Sequence, residues 1–133
     1  MNHFDVAAGI LCDKAGRVLI TERLCTGPFN GLWEFPGGKI SAGETATAAL
    51  IRELAEEIDI EVTQCSSFMR LRHEYEDRIV TIEFFMVSDW NREPTGCEGQ
   101  ALRWVRKDAL DAVELLPADA PVVEALMKLG REL

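Results

Sequence analysis

No two of the four cysteines stand close in sequence: Cys12, Cys25, Cys65 and Cys97 form no CxxC pair. That spacing argues against a zinc ribbon or a thioredoxin-like redox motif and fits reduced thiols in a cytoplasmic protein. The opening residues, MNHFDVAAGILCDK, lack the basic start and long apolar run expected of a secretory signal. No window approaches the ~20 apolar residues a membrane-crossing helix needs. Positive charge is also scarce, with 14 Lys and Arg against 23 Asp and Glu, a formal net charge of −9. Unspecific binding to nucleic-acid polymers or anionic membranes needs the opposite balance. A small phosphate compound carried in by a cation remains compatible with it. Repeats, low-complexity tracts and linkers are absent.

What is present suits one domain spanning residues 1–133. Hydrophobic residues make up 47% and charged residues 28%, an ordinary globular balance. A chain of this length buries roughly 68% of its unfolded surface and needs no metal or disulfide to hold a core. Alternation predicts strands at 5–12 and 17–22 around a turn at 13–16, then a loop at 24–30 and a short extended piece at 32–35. Pro36-Gly37-Gly38 reads as an irregular turn. Residues 45–58 form the strongest helix pattern, free of Gly and Pro and rich in Ala, Leu and Glu. Paired strands follow at 68–75 and 78–88, another strand at 101–105, and helices at 108–113 and 120–129. This order predicts an α+β domain built on a mixed sheet.

The helix carries the chemistry. At about 100° per residue, Leu50, Ile51, Leu54 and Ile58 fall on one face, with Arg52, Glu53, Glu56 and Glu57 on the other. Carboxylates at (i, i+3) and (i, i+4) spacing repel by about 0.2–0.5 kcal/mol per pair. A hard divalent cation over them, held by carboxylate oxygens and water, would relieve that repulsion. Arg52 is placed to grip one glutamate through a two-pronged hydrogen bond. A solvated amphipathic face would explain RELAEE taken alone. Its context adds Gly37-Gly38, whose tight turn brings a carbonyl within reach of a cation, and Glu44 ahead of the helix.

Gly38, Glu44 and the run Arg52-Glu53-Leu54-Ala55-Glu56-Glu57-Ile58 resemble the signature box of the Nudix hydrolases. The departure is Asp59, where that family has glycine. The glycine ends the helix at positive φ, a conformation Asp tolerates, so a modest stability cost is expected and no loss of ligands. GLWEFPGGK, HEYEDRIVTIEFFMVSDW, EPTGCEGQ and LPADAPV extend the likeness to the MutT-like branch across nearly the whole chain. The resemblance implies an α/β/α sandwich around a mixed β-sheet. It also implies Mg²⁺-dependent cleavage of nucleoside triphosphates, including oxidised guanine nucleotides, to monophosphate and pyrophosphate, with Mn²⁺ as substitute ion.

Carried over residue by residue, the resemblance makes Gly38 (through its carbonyl), Glu53, Glu56, Glu57 and Glu98 the metal set. Glu53 and Glu98 are both general-base candidates, and Arg52 completes the catalytic group. Arg23 and Lys39 are the phosphate candidates, while Phe35, Tyr75 and Arg78 correspond to the base pocket. Asp119 stands where the guanine-specific relatives hold asparagine. An ionised aspartate only accepts hydrogen bonds, and LPADAP is also similar to relatives that prefer cytidine triphosphates. Asp119 can equally cap the last helix, with Pro121 in its first turn. His3 and His73 read as structural.

The leading expectation is a pyrophosphohydrolase that clears oxidised or otherwise modified nucleotides such as 8-oxo-dGTP, acting as a monomer or homodimer. A cytidine-preferring or broad-range triphosphatase is the alternative. A non-catalytic nucleotide-binding module fits less well, because every box carboxylate is retained. A hydrolase of dinucleotides or sugar diphosphates is disfavoured by the absence of an insertion to embrace a second moiety.

Overall fold

The computed structural model describes residues 2–131. The strands are β1 (Asn2–Leu11), β2 (Arg17–Glu22), β3 (Trp33–Glu34), β4 (Gly37–Lys39), β5 (Glu61–Glu74), β6 (Arg78–Asn91) and β7 (Leu102–Arg106); the helices are α1 (Ala46–Ile58) and α2 (Ala120–Arg131). One sheet runs β4-β1-β6-β5 and a smaller one β3-β2-β7. The larger is mixed: β1 lies parallel to β6 and antiparallel to β4.

Side-chain alternation builds two cores from the same strands. Ile10, Val18, Ile20, Phe84 and Val105 pack with Val122 and Leu126 of α2. Their neighbours Leu11, Leu19, Phe85 and Val87 pack with Leu50, Leu54 and Ile58 of α1. The result is an α/β/α sandwich, as expected. Helix α1 lies close over β1, because a Cβ on Gly9 would come within 2.9 Å of a Leu54 methyl. Thr45 accepts a hydrogen bond from the Ala48 amide at 3.1 Å and starts the helix. Asp59 ends it in the left-handed region, φ 58° and ψ 36°.

Several expectations are corrected. Gly37-Gly38 is not an irregular turn: with Lys39 it forms β4, paired from Ala8↔Gly37 to Val6↔Lys39. Glycines carry no side-chain periodicity, so that strand is silent in a pattern reading. Strand β5 begins at Glu61 rather than residue 68, because bulges between Val62 and Met69 break its alternation. Residues 107–112 form a 3-10 helix rather than an α-helix. Ile51 is exposed; α1 buries Ala49, Leu50, Leu54 and Ile58 and leaves Glu53 and Glu57 half-buried beside β4. No helix among the described residues is long and apolar enough to cross a membrane.

Candidate active site

Strand β4 brings bare main chain against two acids of α1. A Cβ on Gly37 would overlap the Ala7 carbonyl oxygen, and one on Gly38 would overlap the Glu53 carboxyl group. Only glycine permits so close an approach. The Gly37 amide donates to Glu57 at 3.0 Å.

Arg52 ties the neighbouring acids together. Its Nη1 donates to Glu53 at 2.9 Å, while Nε and Nη2 donate to the two oxygens of Glu44 at 2.8 and 2.9 Å. Nη2 also reaches the Lys39 carbonyl at 3.1 Å. The two-pronged grip therefore falls on Glu44, and Glu53 takes a single charge-assisted bond. Hydrogen bonds from Arg52 and from the Ser41 amide hold the Glu44 carboxyl down to about 2. Glu56 stands apart, its side chain 61% exposed and 3.5 Å from Arg52.

Glu57 is under the greatest electrostatic load. Burial pushes its carboxyl up to about 8 despite the Gly37 amide, and the charges of Glu34, Glu98 and Glu53 add to the push. Hard oxygen donors crowded so that they resist ionising together are what a divalent cation such as Mg²⁺ takes, so the donor set fits the implied ion in its chemistry. Among the described residues, however, no three acidic, His or Cys side chains are gathered into a closed ligand group. Glu53 and Glu57 meet at β4, whereas Glu56 and Glu98 are exposed.

A cavity of about 330 Å³ opens beside β4, with Gly37, Gly38 and Lys39 in its wall together with Arg23, Phe35, Tyr75, Arg78 and Asp119. Every phosphate and base candidate named from sequence thus lines one space. Phe35 is nearly all core, edge-on to Phe84 at 6.0 Å. Tyr75 packs against Phe29 and His73, ring centroids 5.6 and 4.6 Å away, with the Arg78 guanidinium 5.2 Å from its ring. Lys39 rests its ammonium 4.2 Å over the Phe4 ring. Arg23 donates to both oxygens of Glu34 at 3.2 and 3.4 Å, and its buried Nε has no partner among the described residues.

Asp119 is 4% exposed. Burial raises its carboxyl to about 7, with Glu34 adding to the rise and Arg23 opposing it. The carboxyl is therefore not held ionised, and near neutral pH its acid form both donates and accepts. It makes no capping bond: Asp119 closes a 3-10 turn, Pro117–Asp119, ahead of α2.

Glu34 and Gln100 escaped the sequence reading. Glu34 is one polar letter between two aromatics in a two-residue strand, and only its proximity to Arg23 reveals it. Gln100 lies in a glycine-flanked loop, where burial of a polar side chain leaves no local signature.

Residues 7–125 match the NUDIX domain family model. The chain belongs to the Nudix family. It is 43% identical over 122 residues to the 8-oxo-dGTP diphosphatase of Haemophilus influenzae, spanning 92% of this chain and 90% of that protein. It is 35% identical over 129 residues to the CTP pyrophosphohydrolase of Escherichia coli, spanning 97% of this chain and 95% of that one. A solved MutT structure, from work on the Aliivibrio salmonicida and Vibrio cholerae proteins, is 32% identical with a TM-score of 0.83, covering 96% of this chain and 99% of that one.

Proposed function

We propose that this protein is a Mg²⁺-dependent nucleoside triphosphate pyrophosphohydrolase of the cytoplasm that clears oxidised guanine nucleotides such as 8-oxo-dGTP. The observation that carries the reading is the single cavity joining Asp119, Tyr75 and Arg78 to Gly38, the glycine packed on Glu53. A nucleotide laid along it places its base among aromatics and its phosphates beside the acids of α1.

Gly38, Glu53, Glu56, Glu57 and Glu98 would hold the divalent ion. When bound, the ion neutralises phosphate charge and makes water a stronger nucleophile. Arg52 holds the Glu53 carboxylate in place through its hydrogen bond, so Glu53 is one general-base candidate and Glu98 the other. Arg23 and Lys39 draw in the phosphate chain, which an enzyme of net charge −9 would otherwise repel. Attack of water at the β-phosphorus breaks the α–β bridge and releases nucleoside monophosphate and pyrophosphate.

Asp119 favours a second reading, a preference for cytidine triphosphates. Its ionised form accepts from the cytosine amino group, and the Escherichia coli relative is a CTP pyrophosphohydrolase. A hydrolysis panel with Mg²⁺ over normal, oxidised and methylated triphosphates separates the two by kcat/KM. Release of inorganic phosphate in place of pyrophosphate would refute the cleavage assignment.

A further inference from the structure

Gln100 is 8% exposed, one of three buried polar residues among those described. Its side-chain amide joins two elements. Nε2 donates to the Glu57 carbonyl oxygen at 3.0 Å, and Oε1 accepts from the Glu98 amide at 2.8 Å. The same loop closes the end of α1 with main chain, since the Cys97 amide donates to the Glu57 carbonyl at 3.1 Å and the Thr95 amide to Ile58 at 2.9 Å. Carbonyls that a helix leaves unpaired at its last turn are thus met by residues 95–100. The loop is shaped around Gln100: a Cβ on Gly96 would overlap the Gln100 carbonyl oxygen, and Gly99 turns at φ 80°.

Closing the helix requires only donors, and Cys97 and Thr95 supply them. The acceptor turned onto the Glu98 amide has a separate consequence: it fixes the backbone of Glu98 against the residue that carries the Glu57 carboxyl. We infer that Gln100 is a positioning residue that seats Glu98 against Glu53 and Glu57 for metal binding. This rests on the reading of Glu98 as a metal ligand.

The test compares the full-length wild type with Q100M, E98Q and the double variant. The readouts are kcat and KM with Mg²⁺ and 8-oxo-dGTP, Mn²⁺ affinity of the nucleotide-free protein by electron paramagnetic resonance, and amide exchange at Glu98. Groups that orient metal ligands commonly change affinity or activity by about 10–100-fold. Q100M is expected to bind Mn²⁺ about tenfold more weakly, to lose kcat by a similar factor with KM nearly unchanged, and to speed exchange at Glu98. The double variant should be no worse than E98Q alone. Losses that multiply in the double variant, or unchanged Mn²⁺ affinity and Glu98 exchange in Q100M, overturn the positioning role while the ligand reading stands. If E98Q itself keeps wild-type Mn²⁺ affinity and kcat, the ligand reading falls and the positioning role falls with it. Should Q100M fail to fold, Q100N, with an amide too short to reach both partners, is judged by the same criteria.

Discussion

Replacing Asp119 with asparagine should change the pH dependence of stability in a direction and by an amount set by burial. In the unfolded chain this carboxyl loses its proton near its ordinary value of 3.8, and in the folded protein near 7. Below pH 3.8 both states are protonated and folding pays nothing for it. Between the two values the unfolded chain releases a proton that the folded one retains, so stability falls as pH rises. Above pH 7 the full penalty is present, roughly 4 kcal/mol at about 1.4 kcal/mol per pH unit. Asparagine does not titrate, and any cost of its unpartnered amide is the same at every pH. Urea unfolding of both proteins at pH 5 and pH 8 cancels that constant term. The stability of D119N relative to wild type should rise by roughly 2–3 kcal/mol from pH 5 to pH 8. An equal difference at both pH values would mean that the folded protein holds Asp119 as readily ionised as the unfolded chain does, and the burial argument would be wrong.

The same variant should shift preference among bases toward guanine forms, because asparagine donates and accepts at any pH; unchanged kcat/KM ratios over the nucleotide panel would remove Asp119 from recognition. E57Q should lose turnover by about 100-fold or more while the metal-free protein stays folded, and Mg²⁺ should raise the Tm of wild type but not of the variant. Full Mg²⁺-dependent turnover in E57Q would count against the ligand assignment. D59G, relieving a left-handed aspartate, should gain up to about 1 kcal/mol against urea, and a loss instead would show that the Asp59 carboxylate, 3.9 Å from Arg92, contributes more than the backbone strain costs. G37A should cost about 3 kcal/mol, because the added methyl meets the fixed main chain of Ala7. A change under about 0.5 kcal/mol would place that strand farther from β1 than the structure does.

The acids of the helix and the glycines before it were legible in sequence because they are local: a fixed spacing along one helix brings Arg52, Glu53, Glu56 and Glu57 within a turn or two of each other. The left-handed end of α1 was legible for the same reason, a single residue out of pattern at a helix stop. The orientation of that helix was not. Apolar periodicity places Glu53 and Glu57 on the polar face, yet β4 passes beside them and leaves them half-buried. A wheel of one helix holds no information about a neighbouring backbone.

By itself, then, the amino-acid order determined an α+β domain on a mixed sheet and one acid-rich helix, and through its family likeness the sandwich and most of the candidate residues around the cavity. Tertiary structure decided which charges share a low-dielectric space. It pairs Arg23 with Glu34, removes water from Asp119 until its carboxyl titrates near neutrality, and hangs Glu98 from Gln100. Each depends on groups far apart along the chain whose desolvation and distance are set only when the two cores close.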